Sequence, residues 1–169
     1  STNRSVYGYL SIGGTFEVDY YLNSCSTNTK AKIGANSGEK LEKGQIIHLK
    51  NIKKILPKNK IEYLNSKIEN IRIIKGPHFD YFSKDAIDSF FSDEFNVTKL
   101  SDRMGIRLKG PKISNIKNTN IKSEGLVKGV IQITADGDPI IMLSDHGTIG
   151  GYPKIGVVIS ADYDKLVQI

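Results

Sequence analysis

The chain has 169 residues, 38% of them hydrophobic and 25% charged, with a formal net charge of +6, three histidines and one cysteine. That length fits one domain, or one with a small appendage, and no apolar run is long enough to cross a bilayer as a helix. A single cysteine excludes an intrachain disulfide and points to a reducing, cytoplasmic setting.

The positive charge is local. Lys30 to Lys60 hold nine lysines and two glutamates, so the rest of the chain is slightly negative. Twenty of the 24 basic residues are lysine, beside 24 isoleucines and 12 asparagines. That bias reads as drift in an AT-rich genome, not as a phosphate-binding surface. Arginine, the better reader of phosphates and bases, occurs four times, and the aromatics do not interleave with the lysines as a stacking platform requires. Nucleic acid is therefore not the expected partner. His48, His78 and His146 lack metal-ligand spacing, so no metal is expected. Cys25 has no histidine near it in sequence and reads as unreactive.

In chain order, Val6 to Ile12 reads as a strand turned by Gly13-Gly14. Phe16 to Leu22 alternates less cleanly, and Asn23 to Gly38 reads as loop. Gln45 to Leu49 reads as a strand with His48 facing solvent, and Asn51 to Asn65 as an exposed excursion. Lys67 to Ile74 is β-prone and is broken by Gly76-Pro77. A helix follows. Ser83 is its N-cap and Asp85 suits its first turn, while Phe82 can staple onto Ile87. Ile87, Phe90 and Phe91 are expected on one face, and the helix ends near Ser92. Phe95 to Thr98, Ile106 to Lys109, Val130 to Ile133 and Ile155 to Ser160 read as strands, and Ala161 to Gln168 as a short terminal helix. Many short strands with one amphipathic helix predict a mainly β, mostly antiparallel barrel in a single domain over 1–169. The opening Ser1-Thr2-Asn3-Arg4 lacks a methionine, as in a processed chain or a piece of a longer one.

Residues Gly129 to Lys154 are the organising stretch. They read as a strand, an Asp136-Gly137 turn that tolerates positive φ, a return strand, and a polar loop with Gly147, Gly150 and Gly151. The loop lacks the lysine–Ser/Thr–helix order of a P-loop, but its amides with Lys154 could bind an anion as a nest. Gln132 sits mid-strand, either outward or aimed into a pocket. Ser101 to Leu108 carries Asp102, Arg103 and Arg107. In a lysine-drifted chain these arginines are either structural ion pairs or guanidinium sites. Glu124 offers a carboxylate just before the hairpin.

Taken together, Gly76-Pro-His-Phe-Asp80, Ser101-Asp-Arg-Met-Gly-Ile-Arg-Leu-Lys-Gly-Pro111, Ser123-Glu-Gly125, Gly129-Val-Ile-Gln132, Asp136-Gly-Asp-Pro-Ile140, Gly150-Gly-Tyr-Pro-Lys-Ile155 and Val158-Ile-Ser-Ala-Asp162 closely resemble the biotin-dependent carboxyltransferase family. That family includes allophanate hydrolase subunit 2, the C subunit of 5-oxoprolinase and the matching part of urea carboxylase. Tyr9-Leu-Ser-Ile-Gly-Gly14, Leu22-Asn-Ser-Cys-Ser-Thr27 and Gly38-Glu-Lys-Leu-Glu-Lys-Gly44 extend the likeness, which runs to Ile169. It implies a cyclophilin-like closed β-barrel and the C-terminal portion of a longer chain. It also implies a homologous partner subunit, with a small amide substrate bound between the two. The implied chemistry is ATP-dependent opening of 5-oxoproline, or carboxyl transfer from carboxybiotin to a urea-like amide, with ATP or carboxybiotin delivered by the partner. On this likeness Asp102, Arg103, Asp145 and Lys154 are the expected catalytic residues. Gln132, His146, Gly150, Gly151 and Tyr152 are the expected substrate-binding ones. The loops bearing Asp102-Arg103 and Tyr152-Lys154 are expected to converge on one pocket. Many relatives carry Arg-Gln-Thr-Thr where this chain has His146-Gly-Thr-Ile149, which leaves His146 without an assigned role. The alternative implied by some relatives is a non-catalytic domain that binds and antagonises a kinase inhibitor. Prolyl isomerase activity is rejected, because a barrel alone does not fix function.

Overall fold

The computed structural model describes residues 6, 8, 10–53, 70–117 and 119–169. The chain divides into two compact units, Tyr9–Leu64 and Ser1–Gly8 with Asn65–Ile169. The expected excursion Asn51 to Asn65 lies almost wholly outside the described residues.

In the smaller unit β1 (Thr15–Phe16) pairs antiparallel with β2 (Leu49–Lys50), and Glu17 N–H donates to the His48 carbonyl at 2.8 Å. Much of the rest is turn and loop, tied by bonds such as that from the Thr27 hydroxyl to the Ala35 carbonyl. The described residues of the expected strand Val6 to Ile12 form no strand, the first strand falling at Thr15–Phe16, and the strand expected over Gln45 to Leu49 is reduced to β2. Ile12 is half-buried, and Leu10, Ile46 and Ile47 are exposed, so no apolar face fixes a longer strand here. His48 is exposed, as expected.

The larger unit holds β3 (Ile73–Lys75), α1 (Lys84–Ser92), β4 (Asn96–Val97), β5 (Gly105–Lys109), β6 (Glu124–Gly125), β7 (Val130–Ile133), β8 (Pro139–Met142), β9 (Ile149–Gly150), β10 (Lys154–Val158) and α2 (Tyr163–Leu166). Six strands form an antiparallel sheet in the order β3-β10-β7-β8-β5-β4, and β6 pairs with β9 in a separate ribbon. The chain is mainly β with two short helices. The sheet is open, with β3 and β4 as its edges, and the described strands do not close a barrel.

The β7–β8 hairpin forms where the Asp-Gly turn predicts it. Gly137 has φ +78°, and its N–H donates to the Thr134 carbonyl. Alternation then sorts side chains onto two faces. Ile106, Ile131, Ile133, Ile141 and Ile155 enter the main core with Phe82, Ala86 and Ile113. Each isoleucine or phenylalanine among them contributes about 1.5–3 kcal/mol by leaving water. The other face carries Val130, Ile140 and Met142, covered by Leu126.

α1 starts as the sequence predicts, with the Ser83 hydroxyl accepting from Ala86 N–H at 3.2 Å and Asp85 in the first turn. Ala86, Ile87 and Phe90 face the core, but Phe91 is 57% exposed and stacks edge-on against Phe90 at 5.0 Å. The expected three-residue apolar face is therefore centred one position earlier. At the other end Asp162, fully buried, accepts from the Arg72 backbone and binds its guanidinium through both carboxylate oxygens. This ties the start of β3 to the entry of α2.

Candidate functional site

Register places Lys154, Gln132, Ile140 and Arg107 in one row across β10, β7, β8 and β5. Directly paired residues share a face, so all four lie on the face opposite the main core. A β-bulge in β10 makes this possible. Gly156 pairs with Ile131 and Lys154 with Gln132, so Ile155 is the extra residue between them. With regular alternation Lys154 would fall opposite Ile133 and point into hydrocarbon. The bulge sends Ile155 into the core and re-aims Lys154 onto the other face.

Lys154 is only 3% exposed, and its ammonium donates to Glu124 Oε2 at 2.9 Å. Glu124 belongs to the β6–β9 ribbon that lies over this face. Its other oxygen stands 3.7 Å from His78 Nε2, and His78 is itself buried. The backbone N–H of Lys154 donates to His78 Nδ1 at 3.3 Å. Nδ1 thus acts as an acceptor, which places the hydrogen of the neutral ring on Nε2, facing the carboxylate. The hydrogen bond from Lys154 holds the Glu124 carboxyl below the usual carboxylate range against the opposing effect of burial. The charge of Lys154 adds to the lowering. Glu124 is therefore an ionised anchor at neutral pH and a poor base.

Gln132 is 3% exposed and is aimed inward, its amide donating to the Tyr152 carbonyl at 3.1 Å. Gly150 packs on it so closely that a β-carbon there would stand 2.7 Å from Gln132 Nε2. Beside this row opens a cavity of about 400 Å³ lined by Tyr152, Arg107, Ile140, Pro139, Thr98 and Leu100 among others. Its size and mixed lining suit a small molecule.

The expected site residues separate. Asp102 caps its own turn, accepting from Met104 N–H at 2.8 Å and Gly105 N–H at 3.3 Å. Arg103 binds Asp145 through two nitrogens, at 2.9 and 3.1 Å. His146 Nδ1 meets the neighbouring Gly147 carbonyl at 2.6 Å. These residues follow β8 and precede β5, at the end of those strands remote from Pro139. Lys154 and Tyr152 lie at the Pro139 end. Asp145 lies five positions after Ile140 of the Lys154 row, in the turn beyond the end of β8 at Met142. Of the two loops expected to converge on one pocket, the cavity takes Tyr152, together with Arg107, and Asp102 and Arg103 do not line it.

The glycine-loop nest is not formed either. Gly147, Gly150 and Gly151 all lack the positive φ that curls successive amides around an anion. The Gly151 carbonyl accepts from Ile121 N–H, and the Lys154 ammonium is held by Glu124. Among the described residues no three His, Cys, Asp or Glu side chains gather as a metal site, and no helix is long and apolar enough to cross a membrane.

The sequence names Gln132, Tyr152 and Lys154 as expected site residues, of which Tyr152 lines the cavity; it gives no role to His78 and leaves Glu124 and Arg107 open. The available signal was that His78 and Glu124 sit inside recurring motifs, Gly76-Pro-His and Ser123-Glu-Gly.

A family model for the carboxyltransferase domain, subdomain A and B, matches residues 1–169. The chain belongs to that family. It is 32% identical over 165 residues to the C subunit of 5-oxoprolinase from Escherichia coli (strain K12), covering 95% of this chain and 52% of that protein. It is 30% identical over 182 residues to urea amidolyase of Saccharomyces cerevisiae, covering 95% of this chain and 10% of the relative. The crystal structure of urea amidolyase from K. lactis superposes with a TM-score of 0.79 at 27% identity, over 94% of this chain and 11% of that one. The chain spans about half the length of the 5-oxoprolinase subunit it matches.

Proposed function

We propose that this chain is part of an enzyme subunit that processes a small amide, in the manner the name 5-oxoprolinase describes: ATP-dependent ring opening of 5-oxoproline. Carboxyl transfer to a urea-like amide is the second reaction of the same class. The observation that carries the reading is the buried Lys154, turned by a bulge onto the cavity side of the sheet beside buried Gln132. Buried charges are costly and are weak devices for stability, so a bulge that places one two residues from cavity-lining Tyr152 favours a site.

The chemistry assigned to these residues is electrostatic. An amide under attack gathers negative charge on its carbonyl oxygen, and preorganised donors in a water-poor wall stabilise that charge. Gln132 fixes the Tyr152 backbone in the cavity wall, and the Lys154 ammonium supplies positive charge behind it. Glu124 and His78 hold Lys154 in place. Ring opening adds water across the lactam C–N bond, with the hydroxyl going to carbon and the hydrogen to nitrogen. A second water is consumed as ATP is converted to ADP and phosphate. The ATP or carboxybiotin site belongs, on this reading, to the homologous partner subunit. The open sheet is then a segment of a cyclophilin-like barrel whose edges β3 and β4 find further strands. The setting is the cytoplasm.

The test is co-expression of the full-length chain with its partner subunit, followed by assays of ATP hydrolysis dependent on 5-oxoproline and on urea. Amide-dependent turnover is the expected result. No turnover with either amide, combined with tight binding to a kinase inhibitor, would replace this reading with the regulatory one.

A further inference from the structure

The three described arginines differ in one respect. Arg72 is bound to Asp162 and Arg103 to Asp145. The guanidinium of Arg107 has no hydrogen-bond or ion-pair partner among the described residues, although its backbone is fixed by Ser101 and Thr98. Arg107 is exposed and lines the cavity, at the opposite end of the row from Lys154. Of the other charges there, Asp136 acts on Lys109 at longer range, and the rest are spent on one another. Asp138, whose carboxyl these contacts hold below the usual range, is bound by both Lys109 and Lys112. Leu100, Leu108, Pro139, Ile140 and Tyr152 supply an apolar remainder.

From this we infer that the cavity recognises a carboxylate on its small-molecule ligand, and that Arg107 is the residue that binds it. A guanidinium offers a planar fork that matches a carboxylate with two parallel hydrogen bonds, and it gives no comparable pairing to a neutral group. An apolar wall beside a fixed cation suits a compact ring bearing an acid. The inference rests on the amide-processing reading and refines it. Arg107 selects acid-bearing lactams over neutral amides, and it orients the ring so that the amide faces the Tyr152–Gln132 wall. Lysine would supply the charge without the fork.

The experiment uses the full-length chain in complex with its partner subunit, as wild type, Arg107→Gln and Arg107→Lys. Equilibrium binding and turnover are measured with 5-oxoproline and with 2-pyrrolidone, the same ring without the acid. Wild type is expected to bind 5-oxoproline at least tenfold more tightly than 2-pyrrolidone. Arg107→Gln should lose that preference through a weaker hold on 5-oxoproline alone, with Arg107→Lys intermediate. An unchanged preference in Arg107→Gln, or equal loss for both ligands, overturns the inference. Carboxylate-selective binding that depends on Arg107 without turnover of either ring would leave the inference standing and remove ring opening as the function. Turnover with no effect at Arg107 would do the reverse.

Discussion

Glu124 serves two basic side chains with one carboxylate: Oε2 accepts from the Lys154 ammonium at 2.9 Å, and Oε1 faces His78 Nε2 at 3.7 Å. The two members of the ion pair are unequally placed. The Lys154 side chain is 3% exposed and that of Glu124 48%. Breaking the pair from one side is therefore different from breaking it from the other. Lys154→Met leaves a carboxylate that water can solvate, whereas Glu124→Gln leaves a buried ammonium with a weaker acceptor. Thermal unfolding should rank Glu124→Gln below Lys154→Met in melting temperature. The opposite order would show that Lys154 is solvated in a way its burial excludes.

Two glycines around the site separate activity from stability. At Gly76 a β-carbon would meet the Lys154 carbonyl oxygen at 2.3 Å and the Gly156 nitrogen at 2.8 Å, both backbone. Gly76→Ala should destabilise by about 1–3 kcal/mol or more, as overpacking against atoms that cannot move aside does. At Gly150 the nearest atom is the side-chain Gln132 Nε2. Gly150→Ala should displace that amide from the Tyr152 carbonyl, so turnover should fall further than denaturant stability does. Equal damage from the two changes in both assays would count against this division.

The Arg72–Asp162 pair gives stability a defined dependence on pH. Hydrogen bonds from the Arg72 side chain and backbone hold the Asp162 carboxyl far below the ordinary aspartate range, against its burial. A depressed carboxyl stabilises the fold fully above its unfolded pKa of about 3.9 and loses that contribution as pH falls toward the folded value. Asp162→Asn should therefore be clearly less stable than wild type at neutral pH, with the difference narrowing near pH 3. Urea unfolding at the two pH values checks this. A gap that stays constant would mean that the effect is packing, not charge.

Ser83→Ala removes the side-chain acceptor of Ala86 N–H and should cost about 1 kcal/mol. Ile131→Ala opens a hole in the main core and should cost about 2–5 kcal/mol. Chemical denaturation of both variants tests whether α1 and the β7 face contribute as their geometry implies.

What could be read from the residues was local chemistry. The Ser83 cap, the Asp136-Gly137 turn and the β7–β8 alternation each specify a structure within a few positions, and each forms. The bulge at Ile155 does not announce itself, because its cause is non-local. It is a choice of register between β10 and β7 that keeps an isoleucine dry and a lysine out of the core. The same bulge decides which face Lys154 serves. Asp102 and Arg103 read equally well as a site or as an ion pair in sequence. Asp145, 42 positions after Arg103, binds Arg103 as an ion pair.

The account turns on Lys154 acting at the cavity and not merely filling space beside it. Amide-dependent turnover of the reconstituted full-length complex, compared between wild type and Lys154→Met with folding matched by thermal unfolding, tests this most directly. The predicted result is a loss of about a hundredfold or more in kcat/KM, the scale of removing one preorganised electrostatic donor. Turnover within a few-fold of wild type would contradict it.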